Sequence, residues 1–497
     1  MLLTEIFKNM AGIHITGSGE TVISGIANDS RKVKEGDLFF AVIGQKDDGN
    51  KYIRSALEKG AAAVVTDKPV AAELSAAHPE TAWISATNVL ETFSKAASEF
   101  YGHPSRSFTL IGVTGTNGKT TTAYLLENIY TLAGALPGVI GTIDYRVGGK
   151  VLAKAANTTP LAGELHSLFR SMADAGAKAV IMEVSSHALA LKRADEAALD
   201  VAIFTNLQRD HLDFHKDRET YFKAKLRLFE LLAASPKKNK SAVVNADEDK
   251  AVEILSAIEG GLTPVTYGID KPADFKAANI EILQDRTVFE LIALGTRLRV
   301  TLRLLGRYNI YNALAAIAAA VSAGVPLETA VRGAETLTNV PGRLERVELG
   351  QPFGVFVDYA HTDAALENVL SNLGKMPHGK LITVFGCGGD RDRSKRAPMG
   401  KAAAGLSDYA IVTSDNPRSE DPARIFTDIE AGLKGAVNYA LIPDRKAAII
   451  EAVGMARAGD IVLIAGKGHE DYQILKDRTI HFDDRETAAE AIRLKQL

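Results

Sequence analysis

The chain has 497 residues, of which 46% are hydrophobic and 24% are charged. This composition is typical of a folded globular protein, and the length is too great for a single hydrophobic core. The 58 Lys and Arg nearly balance the 61 Asp and Glu, giving a net charge of −3. No overall basic excess therefore favours nucleic acid or an anionic membrane as a partner.

The single cysteine, Cys387, excludes an intramolecular disulfide and is typical of a reducing compartment. Residues 1–17 lack the basic start and continuous apolar run of a signal peptide. The alanine-rich stretch 312–325 is too short to span a bilayer, so it predicts a buried helix. We expect a cytoplasmic monomer with no membrane insertion and no nucleic-acid partner.

The pattern of apolar runs divides the chain into three α/β segments. Residues 1–103 contain short strands and turns and predict a small α/β domain that ends at the polar stretch 101–108. In residues 104–340 and 341–497, apolar strand candidates alternate with helical stretches, which predicts parallel sheets covered by helices. The strand candidates of these two segments are 108–113, 179–184, 201–206 and 241–247, then 353–358, 381–386, 409–414 and 460–466.

A glycine-rich stretch, "TGTNGKTTT" (114–122), lies between a predicted strand and a predicted helix. Such a loop binds polyphosphate when glycines let backbone N–H groups approach the oxygens, a lysine reaches the outer phosphates and a hydroxyl serves magnesium. Gly115, Gly118, Lys119 and Thr120 supply these groups. The usual first glycine is replaced by Val113, so this is a variant phosphate loop, and nucleotide binding is predicted.

Magnesium beside phosphate also requires carboxylates, which in a parallel sheet collect at the carboxyl ends of the strands. Glu183 ends one predicted strand, and His211 follows the next. Strand-end acids also cap helices, and a lone histidine is more often structural than a ligand. Their placement after consecutive strands favours a shared metal site.

The third segment carries arginines and acids at its predicted strand ends. Arg391, Asp415, Arg418 and Glu470 are expected to face one cleft. Two arginines and two acids suit a ligand that bears both carboxylates and amines, because a guanidinium binds a carboxylate through two parallel bonds. Surface ion pairing within loops is the alternative.

The chain resembles the Mur ligases, the ATP-dependent amide-forming enzymes of bacterial cell-wall synthesis. The resemblance covers almost the whole chain and rests on ordered motifs. They are "TGTNGKTTT" (114–122), "NTTP" (157–160), "EVSSHAL" (183–189), "TNLQRDHLDFH" (205–215), "AKLRLF" (224–229), "GRYNIYNALAA" (306–316), "PGRLE" (341–345), "DYAHT" (358–362), "GCGGDRDRSKR" (386–396), "DNPR" (415–418) and "GKGHE" (466–470).

The resemblance implies three domains: a UDP-sugar-binding domain (1–103), an ATP-binding domain with a P-loop-type parallel sheet (104–340) and a Rossmann-like amino-acid-binding domain (341–497). It implies that ATP and Mg²⁺ activate the carboxylate of UDP-N-acetylmuramoyl-L-alanyl-D-glutamate as an acyl phosphate. The amine of meso-diaminopimelate then attacks. A carboxylate is a poor electrophile, and phosphorylation supplies it with a leaving group. The protein must therefore position the reacting groups and neutralise the charge of the phosphates.

The resemblance also implies the roles of individual residues. The catalytic set is Lys119, Glu183, His211 and Lys225. The implied magnesium ligands are Thr120, Glu183, His211 and Lys225, the last in carbamylated form. Residue type alone predicts instead that Lys225 faces solvent. The ATP contacts are Gly115, Thr116, Asn117, Gly118, Lys119, Thr120, Thr121, Asn309, Arg343 and Asp358.

For the other two substrates, the resemblance implies two further sets of contacts. The UDP-muramoyl-dipeptide contacts are Ser30, Asn157, Thr158, Thr159, Ser185 and Arg193. The diaminopimelate contacts are Arg391, Asp415, Asn416, Pro417, Arg418, Gly466 and Glu470. In this reading Arg418 clasps the distal carboxylate that L-lysine lacks.

Three other functions remain open at the level of sequence. A lysine-adding Mur ligase is disfavoured by Arg418, and a folylpolyglutamate synthetase by the motifs from "DYAHT" to "DNPR". A nucleotide switch that hydrolyses ATP would leave Arg391, Arg418 and Glu470 without a purpose. Three positions depart from the family pattern: Asn50 stands where many relatives have histidine, Leu191 where some have a polar residue, and Asp363 where proline is common.

Overall fold

The computed structural model describes residues 1–44, 47–208, 210–258, 261–283 and 285–496. The chain forms two compact units, one of Met1–Lys276 with Tyr311–Ala334 and the other of Ala277–Ile310 with Glu335–Leu497. Among the described residues, no helix combines the length and apolar character that a bilayer span requires.

The first unit begins with a five-stranded sheet in the order β1-β5-β4-β3-β2. Its β1 edge is antiparallel and its other pairs are parallel. The strands are β1 (Ile13–Thr16), β2 (Gly25–Ala27), β3 (Asp37–Phe40), β4 (Ala63–Thr66) and β5 (Ala82–Ala86). The helices are α1 (Leu3–Phe7), α2 (Ile53–Glu58), α3 (Ala72–Ala77) and α4 (Val89–Phe100). β3 and β4 are buried along their whole length, as expected of parallel strands covered on both faces.

A second and larger sheet follows. Its strands are β6 (Thr109–Thr114), β7 (Pro137–Ile140), β8 (Asp144–Val147), β9 (Lys150–Lys154), β10 (Ala179–Glu183), β11 (Val201–Phe204), β12 (Ser241–Asn245), β13 (Thr263–Gly268), β14 (Phe275–Ile282), β15 (Thr287–Ala293) and β16 (Thr296–Leu302). The helices are α5 (Lys119–Leu132), α6 (Ala162–Asp174), α7 (Ser186–Ala190), α8 (Leu212–His215), α9 (Arg218–Ala234), α10 (Ala251–Ala257), α11 (Arg307–Ser322) and α12 (Leu327–Thr336).

Within the first unit, these strands lie in the order β13-β12-β11-β6-β10-β7-β8-β9. The core from β13 to β7 is parallel, as predicted. The predicted parallel pairing does not extend to the edges, where β7, β8 and β9 pair antiparallel, as do β15 and β16 in the second unit. The β8–β9 turn is Gly148-Gly149, both with positive φ, which is the geometry that a two-residue hairpin requires.

The second unit contains a six-stranded sheet in the order β17-β18-β22-β19-β20-β21. Apart from the antiparallel β17 edge, its pairs are parallel. The strands are β17 (Glu345–Arg346), β18 (Gly354–Asp358), β19 (Leu381–Phe385), β20 (Tyr409–Val412), β21 (Tyr439–Leu441) and β22 (Ile461–Ala465), with β23 (Tyr472–Ile474) and β24 (Thr479–His481) as a separate hairpin. The helices are α13 (Asp363–Leu373), α14 (Arg396–Leu406), α15 (Pro422–Glu430), α16 (Arg445–Met455) and α17 (Asp484–Gln496).

Helices cover both faces of this sheet. Along β18, Phe356 packs into the core under α13, α14 and α15, while Val355 and Val357 pack into the core under α16 and α17. This alternation follows from the two-residue period of a strand and explains the continuous apolar runs in the sequence. The carboxyl ends of the parallel strands therefore meet at one edge of the sheet, where the polar motifs begin.

Candidate active site

The phosphate loop connects the end of β6 to the start of α5. Gly115 has φ +146°, and a Cβ there would lie 1.8 Å from Thr205 Oγ1. Gly118 has φ +89°, and its Cβ would lie 2.3 Å from Asn312 Oδ1. Side chains are excluded at both positions by backbone conformation and by space. The loop thus leads directly into the N-terminus of a 14-residue helix, which favours bound anions.

Loop contacts hold the remaining predicted loop residues in place. Asn117 N donates to Asn206 Oδ1 at 2.9 Å, and Thr205 Oγ1 donates to Asn117 O at 2.6 Å. Lys119 Nζ folds back and donates to the carbonyl oxygens of Gly115 and Thr116, both at 2.9 Å. The lysine is thereby kept at the loop.

Glu183 connects this loop to the neighbouring strands. Its side chain is buried at the end of β10 and accepts from Thr120 Oγ1 at 3.0 Å. It also accepts from Thr142 N and Thr142 Oγ1, each at 2.9 Å. The structure therefore brings two of the predicted metal ligands, a carboxylate and a hydroxyl, together at the start of α5.

His211 is placed differently. It has φ +51°, and its side chain is about half exposed, with Nε2 3.5 Å from Asp210 Oδ2. Its ring centroid lies 4.8 Å from that of His187. In the part of the chain that the structure describes, no three His, Cys, Asp or Glu side chains form a metal site. The His211 ring also contacts that of Tyr221, with centroids 6.3 Å apart.

Lys225 is buried in α9, with 1% of its surface exposed. Its Nζ donates to Gly115 O at 2.8 Å and lies 4.4 Å from the centre of the Tyr221 ring. Burial, with the charge of Lys119 as a second cause, lowers the pKa of Lys225 well below its usual value. The expectation from residue type alone, that Lys225 faces solvent, is therefore wrong. Lys119 and Lys225 both bind the same carbonyl of the phosphate loop.

The predicted dipeptide contacts lie on the other side of Glu183. Thr159 Oγ1 donates to Glu183 O at 2.9 Å and accepts from Ser185 N at 3.0 Å. Arg193 Nη1 donates to Thr159 O at 3.2 Å. Thr158 Oγ1 lies 3.2 Å from Thr142 Oγ1, and the carbonyl of Asn157 accepts from Tyr145 Oη at 2.6 Å. These residues form one connected group.

A cavity of about 700 Å³ lies between the first sheet and this group. Its lining includes Ser30, Phe93, Ser94, Leu191 and Arg193. The structure therefore brings Ser30 and Arg193 to one cavity, although they are far apart in the sequence. Asn50 is not part of this lining, because its side chain bonds to Thr66, Asp48 and Asp67.

In the second unit, Asp358 is buried at the end of β18. Its carboxylate accepts from Leu344 N at 2.6 Å and from Ala360 N at 2.9 Å, and burial raises its pKa. The Arg343 guanidinium lies 5.1 Å from the centre of the Tyr359 ring. Asn309 is buried and donates to Leu305 O at 2.8 Å.

At the start of α13, Thr362 is the helix cap and Asp363 lies in the first turn.

Four of the predicted amino-acid contacts form a cluster at the ends of β20 and β22. Asn416 Nδ2 donates to Glu470 Oε2 at 2.8 Å, and Arg418 Nη1 donates to Gly389 O at 2.9 Å. Lys467, which sequence analysis missed, is completely buried beside them. Its Nζ donates to Asn416 Oδ1 at 3.0 Å and lies 3.5 Å from both Asp415 Oδ1 and Glu470 Oε2. Its position within the "GKGHE" motif is the signal that could have identified it.

Close backbone contacts shape this cluster. A Cβ on Gly389 would lie 1.9 Å from Pro417 O, and one on Gly388 would lie 2.8 Å from Arg418 Nη1 and 3.8 Å from Arg391 Cγ. A Cβ on Gly466 would be 3.7 Å from Asp415 Oδ2. The structure therefore brings all the predicted amino-acid contacts to one edge, with Arg391 exposed and Asp415 buried.

A buried ion pair that sequence analysis also missed supports the two loops. Arg445 and Asp484 are both completely buried, with Arg445 Nη2 2.6 Å from Asp484 Oδ2. Arg445 Nη2 also donates to Ala465 O at 3.0 Å, and Nη1 donates to Ser414 O at 3.4 Å. These carbonyls directly precede Gly466 and Asp415. One guanidinium therefore holds the backbone at the carboxyl ends of β20 and β22, where the loops that begin with Asp415 and Gly466 start.

Comparison with known proteins identifies the class of this fold and site. The chain matches the models of the Mur ligase family catalytic domain over residues 22–101, the Mur ligase middle domain over 113–320 and the Mur ligase glutamate ligase domain over 342–468. It is 46% identical over 475 residues to the UDP-N-acetylmuramoyl-L-alanyl-D-glutamate--2,6-diaminopimelate ligase of Solibacter usitatus, covering 95% of this chain and 94% of that protein. The chain belongs to the Mur ligase family.

Solved structures agree with this assignment. A structure of a UDP-N-acetylmuramoyl-L-alanyl-D-glutamate--2,6-diaminopimelate ligase matches with a TM-score of 0.72 and 32% identity, over 100% of this chain and 99% of that one. The MurF ligase of Thermotoga maritima, solved with ADP, matches in fold with a TM-score of 0.63 and 20% identity, over 96% and 98%. The predicted family and α/β fold are confirmed, and the predicted ligase activity agrees with the names of the relatives.

The Arg445–Asp484 pair gives a testable prediction about stability. Arg445→Met leaves a charged Asp484 buried without a partner, so we expect the free energy of unfolding to fall by about 3–5 kcal/mol. The double variant Arg445→Met, Asp484→Leu removes both charges and should recover most of that loss. Denaturant unfolding at unchanged slope measures both effects.

The matched control is Lys446→Met, since Lys446 pairs with Glu490 across the same two helices but both side chains are about half exposed. That change should cost about 1 kcal/mol or less. An Arg445→Met protein as stable as the control would contradict the prediction.

Proposed function

We propose that this protein is an ATP-dependent ligase that joins meso-diaminopimelate to UDP-N-acetylmuramoyl-L-alanyl-D-glutamate in the synthesis of peptidoglycan precursors. One observation carries the proposal. The side chain of Glu183 binds Thr120 at the phosphate loop, while its backbone carbonyl binds Thr159 of the group that adjoins the large cavity. A single residue thus connects the proposed phosphate site to the proposed substrate site, and this proximity supports phosphoryl transfer between them.

In the proposed reaction, the γ-phosphoryl group of ATP passes to the free carboxylate of the UDP-linked dipeptide, which yields ADP and an acyl phosphate. The amine of the second substrate then attacks the acyl carbon, phosphate leaves with the bonding electrons, and the ammonium proton is released. The N-terminus of α5 and Lys119 neutralise charge on the transferring group. Lys119 Nζ already lies at the loop, where it donates to the carbonyl oxygens of Gly115 and Thr116.

The proposed nucleotide contacts are the loop residues Gly115 to Thr121 in the first unit, together with Asn309, Arg343 and Asp358. Magnesium fits the oxygen atoms of Glu183 and Thr120, which are ligands of the kind it prefers. His211 is proposed as a further ligand, directly or through water. Bound magnesium would neutralise phosphate charge.

The proposed UDP-sugar contacts begin at Ser30 in the large cavity and continue to the dipeptide group of Asn157, Thr158, Thr159, Ser185 and Arg193. Burial lowers the pKa of Arg193, and no carboxylate within the described residues forms an ion pair with it. A half-buried guanidinium without an internal anion suits a substrate carboxylate. We assign Arg193 to the dipeptide end of this substrate.

The proposed functional division of the chain is 1–103 for the UDP-sugar, 104–340 for ATP and 341–497 for the amino acid. We propose that the enzyme is a cytoplasmic monomer that acts on small molecules, without nucleic-acid partners or membrane insertion. ATP as a substrate and a single buried cysteine fit that compartment.

The first prediction of the proposed function concerns the reaction itself. With ATP, magnesium and the UDP-linked dipeptide, ADP release should require an amino acid, and diaminopimelate should support it far better than L-lysine or glutamate. Coupled ADP detection with mass spectrometry of the product measures this. Full-speed ADP release without any amine acceptor would contradict the ligase and favour the ATP-hydrolysing switch.

Arg418 gives the second prediction, since its guanidinium is proposed to bind the distal carboxylate of diaminopimelate. Arg418→Ala should lower kcat/KM for diaminopimelate on the order of a hundredfold, because the carboxylate loses a charged partner worth a few kcal/mol. KM for ATP should stay the same. Steady-state kinetics with diaminopimelate and L-lysine measures the selectivity.

The control is Arg418→Lys, which keeps the charge but loses the two-pronged geometry and should lie between the wild type and Arg418→Ala. Unchanged selectivity for diaminopimelate over L-lysine in Arg418→Ala would refute this assignment.

Lys225 gives the third prediction. We propose that its buried amine reacts with CO2 to form a carbamate, which turns a cation near Lys119 into an anion able to bind a second magnesium. ¹³C NMR with labelled bicarbonate should show a carbamate resonance in the wild type and in Lys223→Arg, an exposed lysine on the same helix. Lys225→Arg should lack the resonance and most activity. A resonance that persists in Lys225→Arg would contradict the assignment.

A further inference from the structure

The large cavity is lined from two parts of the first unit. Leu90, Phe93 and Ser94 reach it from α4, and Leu191 and Arg193 reach it from the turn after α7. The residue between the last two, Lys192, is not part of the lining. Two residues of α4 contact Lys192 and thereby connect the helix to the turn that carries Arg193.

Lys192 has an unusual backbone. Its φ is +52°, a left-handed conformation that a residue with a Cβ adopts only at an energetic cost. Such a conformation persists when surrounding contacts hold it. Here, Lys192 N donates to Leu189 O at 3.2 Å, and the next residue, Arg193, donates from its N to Ala188 O at 2.8 Å. The direction in which Arg193 leaves the turn depends on this geometry.

Two residues of α4 hold Lys192. Ser94 Oγ donates to the carbonyl of Lys192 at 2.6 Å. Lys192 Nζ lies 2.7 Å from Glu91 Oε2. These contacts join positions 98 and 101 residues apart in sequence. Ser94 is almost completely buried, and the Glu91 and Lys192 side chains are 38% and 29% exposed, so the pair is only partly screened by water.

Glu91 also has a second lysine partner. Lys95, one turn later on the same helix, lies 2.9 Å from Glu91 Oε1, and its side chain is 43% exposed. The two lysines together hold the pKa of Glu91 at about 2, with the hydrogen bond from Lys192 as the larger cause. The carboxylate is therefore ionised at neutral pH. Its ion pair with Lys192 reaches the turn that carries Arg193, whereas its ion pair with Lys95 stays within α4.

We propose that Glu91 and Lys192 are positioning residues for the UDP-linked substrate, which keep the turn left-handed and thereby direct Arg193 toward Thr159 and the cavity. This inference rests on the proposed function, which assigns Arg193 to the carboxylate-bearing end of that substrate. Neither Glu91 nor Lys192 lines the cavity, so their effect is transmitted through the backbone. The helix α4 thus contributes to the cavity lining and also holds the turn that carries Arg193.

The test is a pair of double-mutant cycles, one for Glu91 with Lys192 and one for Glu91 with Lys95. Lys192→Met and Glu91→Gln should each raise KM for the UDP-linked dipeptide about tenfold, the effect of losing a charge-assisted bond. KM for ATP and for diaminopimelate should stay within about twofold of the wild type, as should kcat, because the pair acts on binding of one substrate. The Lys95→Met control should leave all constants within about twofold. Coupling should be strong for Glu91 with Lys192 and weak for Glu91 with Lys95.

Lys192→Gly separates the backbone from the charge. Glycine adopts positive φ without strain, and the carbonyl that accepts from Ser94 is retained. Its KM for the UDP-linked dipeptide should be clearly lower than that of Lys192→Met. Equal KM values for these two variants would overturn the backbone route, and equal coupling for both lysines would overturn the positioning role.

Isothermal titration with the UDP-linked dipeptide alone distinguishes this inference from the proposed function. A wild type that binds and turns over this substrate, with Lys192→Met unchanged in affinity, overturns the inference and leaves the function intact. A wild type that neither binds nor turns it over overturns the proposed function and the inference together. Weakened binding in Lys192→Met with wild-type turnover of saturating substrate supports both.

Discussion

The space at the carboxyl ends of the parallel strands is the constraint on which both functional clusters depend. Strands that run in one direction bring their following loops to one edge, and the loops then lie too close for side chains between them. Gly115 against Thr205 shows this in the first unit, and Gly389 against the carbonyl of Pro417 shows it in the second. Each contact leaves less room than a methyl group needs, so the loops hold one another in fixed positions.

Within this crowded space, charges are held by backbone carbonyls as well as by opposite charges. Lys119 and Lys225 share the carbonyl of Gly115, and Arg445 binds the carbonyls of Ser414 and Ala465. A carbonyl compensates a buried cation less completely than a carboxylate does. At Arg445 the carboxylate of Asp484 also compensates the buried charge, which suits a structural role.

The sequence predicted the parts of the fold that follow from one dominant signal. Continuous apolar runs located the parallel strands, and glycine, lysine and hydroxyl residues located the phosphate loop. The β8–β9 hairpin was missed, although "DYRVGGKVLAK" has a Gly-Gly turn, because its strands are short and β9 is exposed throughout. Burial of Lys225 could not be deduced from its residue type, since it depends on how α9 packs beneath the loop.

The candidate site shows the same limit. Motif resemblance named candidate substrate contacts, but it did not identify the residues that hold those side chains and loops in place. Lys467 is buried between residues of the "DNPR" and "GKGHE" motifs. Asp484 lies outside all the motifs, 39 residues after Arg445. Such partners become visible only when the chain is folded, because long-range pairs leave no local pattern in the sequence. The proposed role of Lys192 depends in the same way on the folded chain, because it rests on a backbone angle, whereas side-chain chemistry alone would assign the residue to the solvent-exposed surface.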